Sequence, residues 1–267
     1  MARWGMRVVE ASCCGPGGQP TGREWGTLPL KPVRLEPVAA YDFIAPGFAR
    51  LADERRKYLD AVDALVASGI APGARSLLDV GAGDGIRSSL IAQRCGIEEL
   101  TLVEPSVAMQ QNGRAGTTFR TMRAEDLHLL APGFDVILCL WNVLGHIFPV
   151  VARMEVLRQF ARLLSPRGRI FIDVHHRYNA RQYGALPTAL RFLHDRWSGR
   201  DNGDVQVSWG SGGNRCLTKG HVFTSREIEV LYRSAALEVE NRFVIDYSTG
   251  QQRRWSTQGH LLYVLHA

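Results

Sequence analysis

The sequence predicts an α/β fold, with a mostly parallel β-sheet that is covered by helices on both faces. Short apolar segments that suit buried strands alternate with longer segments whose apolar residues recur at helical spacing. The strand segments are residues 76–81, 99–104, 118–123, 134–141 and 168–174. A helix from Val150 to Leu164 precedes the last of them and carries its apolar side chains on one face. With 267 residues, of which 45% are hydrophobic, the chain can bury one sizeable core.

The segment before this pattern differs in character. Residues 1–40 are rich in proline and glycine and lack apolar periodicity, which predicts a flexible or disordered leader before a folded domain of residues 41–267. From Phe48 to Ile70, apolar residues recur at helical spacing. This spacing predicts one amphipathic helix that packs against the sheet.

After the fifth strand the pattern changes to that of a hairpin. Residues 204–209 and 215–223 flank a glycine-rich link, which predicts two antiparallel strands. Thr224 has the position and residue type of a helix N-cap, and Glu227 completes a capping box. The last two strands are predicted at residues 239–247 and 261–266.

The sequence DVGAGDG at positions 79–85 is a glycine-rich turn directly after the first strand. Its glycines let the chain turn sharply and bring backbone N–H groups close to a ligand. Glu104 ends the second strand, where a carboxylate can accept two hydrogen bonds from ribose hydroxyls. The combination predicts a site for a cofactor that contains adenosine.

The spacing of the turn separates two classes of cofactor. A dinucleotide fingerprint needs a third glycine at the position of Ile86. Asp79, two residues before the first glycine, would repel a pyrophosphate but favours a cation. S-adenosyl-L-methionine carries a sulfonium and an ammonium group and no phosphate. The turn therefore favours this cofactor and disfavours a nicotinamide oxidoreductase.

These residues resemble the class I S-adenosylmethionine-dependent methyltransferases, whose first motif is an acidic residue followed by x-G-x-G-x-G. The resemblance runs from about Tyr41 to the C-terminus. It implies a Rossmann-like sheet of seven mostly parallel strands in the order 3-2-1-4-5-7-6, with an antiparallel last strand. It also implies S-adenosyl-L-methionine as cofactor and S-adenosyl-L-homocysteine as product.

The resemblance assigns cofactor-binding roles to individual residues. Asp79, Gly81, Ala82 and Gly83 match the turn around the methionine portion, and Glu104 matches the ribose ligand. The positions that match motifs beside the adenine or the transferable methyl group are Pro105, Met109, Ala124, Glu125, Asp126, Trp141 and Asn142. Many relatives have aspartate where Arg123 stands, so Glu125 or Asp126 is expected to replace it as the acceptor for the adenine amino group.

Four residues are candidates for contact with the substrate or for general-base catalysis. Methyl transfer requires alignment above all, and it requires a base only if the acceptor arrives protonated. His146 follows the fourth strand, and the adjacent His175 and His176 follow the fifth, on opposite sides of the chain. Tyr41, expected before the first helix, matches a tyrosine that closes over the site in similar enzymes. For each of the four, a purely structural role is the alternative.

The sequence predicts no metal site. Two adjacent histidines are a poor metal pair on a strand, no carboxylate is positioned to complete a site, and the five cysteines lack metal-ligand spacing. Aromatic residues of the C-terminal half are interpreted as packing residues rather than as a substrate cage. These are Trp197, Trp209, Tyr247 and Trp255.

Composition bears on partners and location. The formal net charge is +6, but the basic residues are scattered and form no run of five or more, which argues against nucleic acid as a partner. No secretory signal is evident, and polar residues interrupt the apolar stretch from Phe134 to Val151. These features predict a cytoplasmic protein without membrane contact. The sequence leaves the oligomeric state open between a monomer and a homodimer.

The acceptor is predicted by elimination. No Asn-Pro-Pro-Tyr, Asp-Pro-Pro-Tyr or Pro-Cys follows the fourth strand, where enzymes that methylate bases or protein amides carry such motifs. The leading interpretation is transfer to an oxygen or nitrogen of a small-molecule methyl acceptor, with residues 178–223 as an insert that caps the substrate. The alternatives are a methyltransferase acting on RNA or protein, and a non-catalytic S-adenosylmethionine-binding protein.

Overall fold

The computed structural model describes residues 7–9, 32–114, 116, 118–198, 203–211 and 214–267. Most of the predicted leader, including residues 10–31, lies outside the described residues. Within the range predicted for the leader, the structure contains strands β1 (Arg7–Val9) and β2 (Val33–Arg34) and the start of helix α1 (Pro37–Ile44). The predicted boundary at residue 40 is therefore corrected, because Ala40 is fully buried within α1.

The remaining elements follow the predicted alternation. In chain order they are α2 (Phe48–Glu54), α3 (Arg56–Gly69), β3 (Ser76–Val80), α4 (Ile86–Cys95), β4 (Glu99–Val103), α5 (Val107–Gln110), β5 (Phe119–Arg120), β6 (Phe134–Cys139), α6 (Val150–Leu163), β7 (Leu164–Val174), α7 (Ala180–Tyr183), α8 (Ala185–Ser198), β8 (Asp204–Ser211), β9 (Asn214–His221), α9 (Ser225–Ser234), β10 (Glu238–Ile245), β11 (Gln252–Arg253) and β12 (His260–His266). The single helix expected from Phe48 is two helices, because the backbone leaves the helical conformation at Arg55. The predicted capping box at Thr224 and Glu227 is present.

The large sheet has the strand order β11-β10-β12-β7-β6-β3-β4-β5. Its centre is parallel, and β12 is antiparallel to both of its neighbours. Apart from the two-residue edge strand β11, this order corresponds to the predicted 3-2-1-4-5-7-6 arrangement. The predicted α/β fold is confirmed.

Two apolar layers cover the faces of this sheet. Alternate residues of β7 show the division, since Ile170 and Ile172 belong to one layer and Phe171 to the other. The layers hold the carboxyl ends of β3, β4, β6 and β7 at one edge, which is where ligands bind in open parallel sheets. None of the helices in the part of the chain that the structure describes combines the length and apolar character that a membrane crossing requires.

A second, smaller sheet has the order β1-β8-β9-β2. The predicted hairpin forms its centre, and β2 adds to β9 in parallel orientation. Helix α1 packs on this sheet through Ala40 and Ile44, which contact an apolar cluster with Val207, Trp209 and Cys216. The hairpin and α1 thus form one unit beside the carboxyl edge of the large sheet.

Candidate active site

The glycine-rich turn connects β3 to α4. Gly81, Gly83 and Gly85 have φ of 76°, 59° and 68°, in the left-handed region that favours glycine. A Cβ atom at Gly81 would lie 2.5 Å from Val143, and one at Gly85 would lie 2.6 Å from Leu102. The turn therefore requires glycine both for its backbone conformation and for its close packing.

The chain itself uses the backbone N–H groups at the start of this turn. Those of Gly81 and Ala82 donate to the carbonyl of Val103 at 2.8 and 3.0 Å. That of Gly83 donates to the Glu104 carboxylate at 2.9 Å. The expectation that these groups face a ligand is corrected, because the turn offers a shaped surface and its donors hold the end of β4.

Two buried carboxylates, Asp79 and Glu104, flank the turn, and each residue is 6% exposed. The Ser88 hydroxyl donates to Asp79, and the N–H groups of Gly83 and Ser106 donate to Glu104, each at 2.9 Å. Burial raises the pKa of Asp79 to about 6 and that of Glu104 to about 7. A positively charged ligand would stabilise the ionised form of both groups.

A large cleft collects ten of the twelve predicted cofactor residues in its walls, the exceptions being Asp126 and Asn142. The Asp126 carboxylate accepts the N–H of Arg123 at 3.3 Å and caps the short 3-10 helix of residues 124–129. Glu125 lines the cleft. Of the two expected substitutes for the missing adenine acceptor, Glu125 has the suitable position, and its role stays a prediction.

Trp141 and Asn142 follow β6 with φ of 57° and 59°. The Trp141 ring lines the cleft, and its Nε1–H donates to the Tyr247 hydroxyl at 3.2 Å. The Asn142 side chain donates to the carbonyl of His221 at 3.2 Å and accepts the N–H of His175 at 3.0 Å. Asn142 therefore joins the hairpin to the end of β7, and it does not line the cleft.

A second cavity, called the inner cavity below, adjoins the cleft beneath the β8–β9 hairpin. The side chains that line both spaces are Tyr41, Phe48, Trp141 and His146. Nine of the predicted cofactor residues line the cleft alone, so these four side chains mark the side from which a methyl acceptor would approach.

His146, one of the four side chains that line both spaces, has a defined orientation. Its Nδ1 lies 3.2 Å from the carbonyl of Lys219, so Nδ1–H is the donor and Nε2 is left as an acceptor. Burial lowers the pKa of His146 to about 4. The ring of Tyr41 contacts it edge-on, with the ring centroids 5.5 Å apart. Tyr41 lies within α1, which corrects the expectation that it precedes the first helix.

His175 and His176 have different environments. His175 lines the inner cavity and stacks on His260 with the ring centroids 4.0 Å apart. Burial lowers its pKa to about 3. The backbone N–H of His176 donates to the His260 ring at 3.0 Å, and its side chain is buried outside both cavities. Of the two, the structure brings only His175 to the acceptor side.

A family model described as a methyltransferase domain matches residues 48–241. The chain belongs to this methyltransferase family. The family also confirms the predicted cofactor, S-adenosyl-L-methionine. No curated protein matches the chain significantly.

Solved structures of methyltransferases share this fold. CcbJ from Streptomyces caelestis is 17% identical with a TM-score of 0.57, and the match covers 78% of this chain and 89% of that one. CalS10 from Micromonospora echinaspora, an amino pentose methyltransferase, is 18% identical over 82% of this chain and 95% of its own, with a TM-score of 0.55. The sugar N-methyltransferase KedS8 from Streptoalloteichus is 17% identical over 96% and 100%, with a TM-score of 0.54.

The cleft of this methyltransferase fits a cationic cofactor better than a diphosphate. A diphosphate needs free N–H donors, whereas the turn uses those of Gly81, Ala82 and Gly83 internally. The carboxylates of Asp79 and Glu104 have no ion-pair partner among the described residues, and burial disfavours their charge. S-adenosyl-L-methionine would be held with its positive groups toward Asp79 and its ribose at Glu104.

The affinity of the methyltransferase for S-adenosyl-L-methionine should rise as the pH increases from about 5 to about 8, because Asp79 and Glu104 become ionised over this range. The affinity for S-adenosyl-L-homocysteine, which lacks the sulfonium charge, should rise less. Calorimetric titration with both compounds at several pH values measures this difference. An equal or larger pH dependence for S-adenosyl-L-homocysteine would contradict the electrostatic role of the two carboxylates.

The free energy of unfolding of the ligand-free methyltransferase should fall as the pH rises, whereas the affinity for the cofactor rises. The folded-state pKa values of about 6 and about 7 exceed the ordinary values of 3.8 and 4.5. The contribution of the protonated Asp79 and Glu104 to the free energy of unfolding is thus fully present below about pH 4. It is lost as the pH rises through about 6 to 7.

Two contacts were not predicted from the sequence, one made by α1 and one made by Phe48 of α2. Asp42 accepts the hydroxyl of Ser106 at 2.6 Å, and Ser106 in turn donates its N–H to Glu104, so α1 is tied to the cofactor side. Phe48 lines both spaces and contacts Trp141 at a centroid distance of 5.5 Å. An aspartate within a short apolar helix gives no local signal of such a long-range bond.

Among the described residues, no three side chains of His, Cys, Asp or Glu come together as metal ligands would.

Proposed function

We propose that this methyltransferase transfers a methyl group to an oxygen or nitrogen of a small, uncharged acceptor that binds between α1 and the β8–β9 hairpin. The observation that carries the proposal is the enclosure of the acceptor side. Tyr41 of α1 and Trp209 of the hairpin contact each other at a centroid distance of 6.2 Å, and both line the inner cavity. Two similar structures are described as methyltransferases of an amino pentose and of a sugar, which also supports a small acceptor.

The size of the inner cavity supports a small acceptor over a macromolecule. Its volume is about 20 Å³, which is room for about one water molecule. Side-chain shifts of Tyr41 and Trp209 could admit part of a small molecule. A folded RNA or a protein segment would have to displace the whole hairpin, whose strands pair over eight residues.

The polar groups of the inner cavity support an uncharged acceptor. Among the described residues that line it there is no lysine, arginine, aspartate or glutamate. Both ring nitrogens of His221 are taken, by Asp204 at 2.7 Å and Glu227 at 2.6 Å. The Nε1–H of Trp209 is buried without a hydrogen-bond partner. A charged group would pay a large desolvation penalty here, whereas an acceptor oxygen would satisfy the indole.

The chain's own residues can align the acceptor and take its proton. When bound, S-adenosyl-L-methionine supplies a methyl group on a sulfonium, and its sulfur leaves as a neutral thioether as the acceptor lone pair bonds to the methyl carbon. His146 is neutral well above pH 4, and its Nε2 accepts the proton that a hydroxyl or amine loses. The carbonyl of Lys219 holds the required tautomer.

An assay with cofactor labelled in its methyl group tests the proposal. The methyltransferase is incubated separately with a metabolite extract, with total RNA and with total protein, and the products are separated by size. We expect label in the small-molecule products only. Label in RNA or protein would overturn the choice of substrate, and no label in any fraction would favour a non-catalytic binding protein.

Replacement of Trp209 by phenylalanine should raise KM for the acceptor by about threefold to tenfold, because it removes the indole N–H but keeps an aromatic ring. The affinity for S-adenosyl-L-homocysteine should not change. Steady-state kinetics and calorimetry measure the two effects, and the exposed Trp255→Phe serves as the control. An unchanged KM would show that the indole does not bind the acceptor.

A further inference from the structure

Helix α8 presents four large apolar side chains to solvent, whereas three of its polar side chains face the protein. Leu186, Leu190, Leu193 and Trp197 are 69%, 56%, 43% and 85% exposed. The opposite face packs on the domain with Thr188, Arg191 and Asp195, whose side chains are nearly buried. This is the reverse of the usual arrangement of a surface helix.

A buried polar cluster holds α8 in this orientation. Asp195 accepts the hydroxyl of Tyr178 at 2.9 Å and lies 3.8 Å from the guanidinium of Arg177. Arg177 is fully buried and also bonds to Glu227 of α9 at 2.6 Å. Rotation of α8 to bury its leucines would break these bonds and leave charges unpaired inside the protein, which is costly.

We propose that α8 is the interface of a homodimer, in which the α8 helices of two copies pack side by side in antiparallel orientation. The four exposed apolar residues, called the α8 seam, are spaced by four, three and four positions. At 100° per residue they fall within an arc of about 60°, which is the narrow stripe of a helix that pairs with another helix. A membrane surface would contact a wider apolar face.

The α8 seam is complementary to itself in an antiparallel pair. Trp197 of one copy then lies over Leu186 of the other, and Leu190 of one copy lies against Leu193 of the other. Each contact occurs twice, as the twofold symmetry of a dimer requires. The large indole meets the end of the helix where the exposed Ala185 and Ala189 leave space.

The exposed apolar area is close to what a stable dimer needs. The four side chains of the seam present roughly 500 Å² per copy. Two copies would bury roughly 1,000 Å², the lower limit for a specific interface. The other exposed side chains of α8 are uncharged or basic, so none of them places a carboxylate in this pair.

Sedimentation of the full chain over about a hundredfold range of concentration tests the proposal. We expect a dimer that dissociates on dilution. Leu190→Lys and Leu193→Glu should each raise the dimer dissociation constant about tenfold or more, because each places a charge against a leucine of the other copy. The matched control is Val151→Lys, at an exposed valine of α6, which should leave the dimer unchanged.

The double variant Leu190→Lys and Leu193→Glu distinguishes the antiparallel pair from other arrangements. In that pair each lysine faces a glutamate of the other copy, so the dimer should return, whereas a parallel pair would place like charges together. A monomer at all concentrations would overturn the proposal, as would a dimer that the single variants leave intact. Binding of a monomeric chain to vesicles that contain phosphatidylglycerol, lost in Leu190→Lys, would also overturn it in favour of a membrane surface.

Discussion

Replacement of Glu104 by alanine should weaken the binding of S-adenosyl-L-homocysteine by about a hundredfold or more. The proposed ribose site consists of two hydrogen bonds from hydroxyls to the Glu104 carboxylate, each worth about 1.5–3 kcal/mol, and alanine would remove both. The substitution also releases the N–H groups of Gly83 and Ser106, which hold the turn and the start of α5 against the cleft. Calorimetric titration measures the loss directly.

The control for this variant is Glu99→Ala, which removes an exposed carboxylate at the start of the same strand. It should leave the affinity unchanged. Glu104→Gln keeps the size of the side chain and should weaken binding less than alanine does. If Glu104→Ala retains full affinity, Glu104 is not the ribose ligand and the placement of the cofactor in this cleft is wrong.

Replacement of His146 by asparagine should lower kcat by about a hundredfold or more. The asparagine amide can still donate to the carbonyl of Lys219, but it has no equivalent of the Nε2 lone pair. The affinity for S-adenosyl-L-homocysteine should stay within about twofold, because the residue stands on the acceptor side of the cleft. Single-turnover kinetics with an acceptor found in the labelling assay, together with calorimetry, measure the two effects, and the exposed His128→Asn is the control.

The pH profile adds an independent test of this role. Because the pKa of His146 is lowered to about 4, the imidazole is neutral at pH 6 to 8 and its protonation cannot limit the rate there. At saturating S-adenosyl-L-methionine, kcat should fall only as the pH approaches about 4. Two results would exclude His146 as the base. One is a His146→Asn variant with wild-type activity, and the other is a loss of cofactor affinity in this variant as large as its loss of kcat.

Local patterns were sufficient to predict the fold class and the cofactor turn. The side-chain periods of strands and helices are properties of short segments, so β3, β4 and β6 begin at the residues predicted for them. Gly81 and Glu104 lie close to strand ends, and parallel strands bring those ends to one edge. The strand expected at residues 118–123 is reduced to two paired residues, because it lies at the edge of the sheet and only β4 supports it.

Contacts between distant segments were not predictable in the same way. The burial of α1 depends on the hairpin, which is more than a hundred residues away in sequence. Alternation placed His175 and His176 on opposite sides of the chain. Which of them meets the inner cavity depends on β12, because its His260 binds the backbone of one and stacks on the other.

Trp209 illustrates where sequence reasoning ends for this methyltransferase. The sequence predicts a packing residue at this position, and Trp209 does pack on α1, but its ring also lines the inner cavity. An aromatic residue in a strand signals burial, and a core and a cavity wall produce the same signal. The sequence by itself thus determines which segments are apolar enough to be buried and where the glycine-rich turn follows a strand. Which side chains contact one another at the site is decided only by the tertiary structure. It depends on how the second sheet packs beside the first, and that arrangement rests on apolar contacts between segments far apart in the chain.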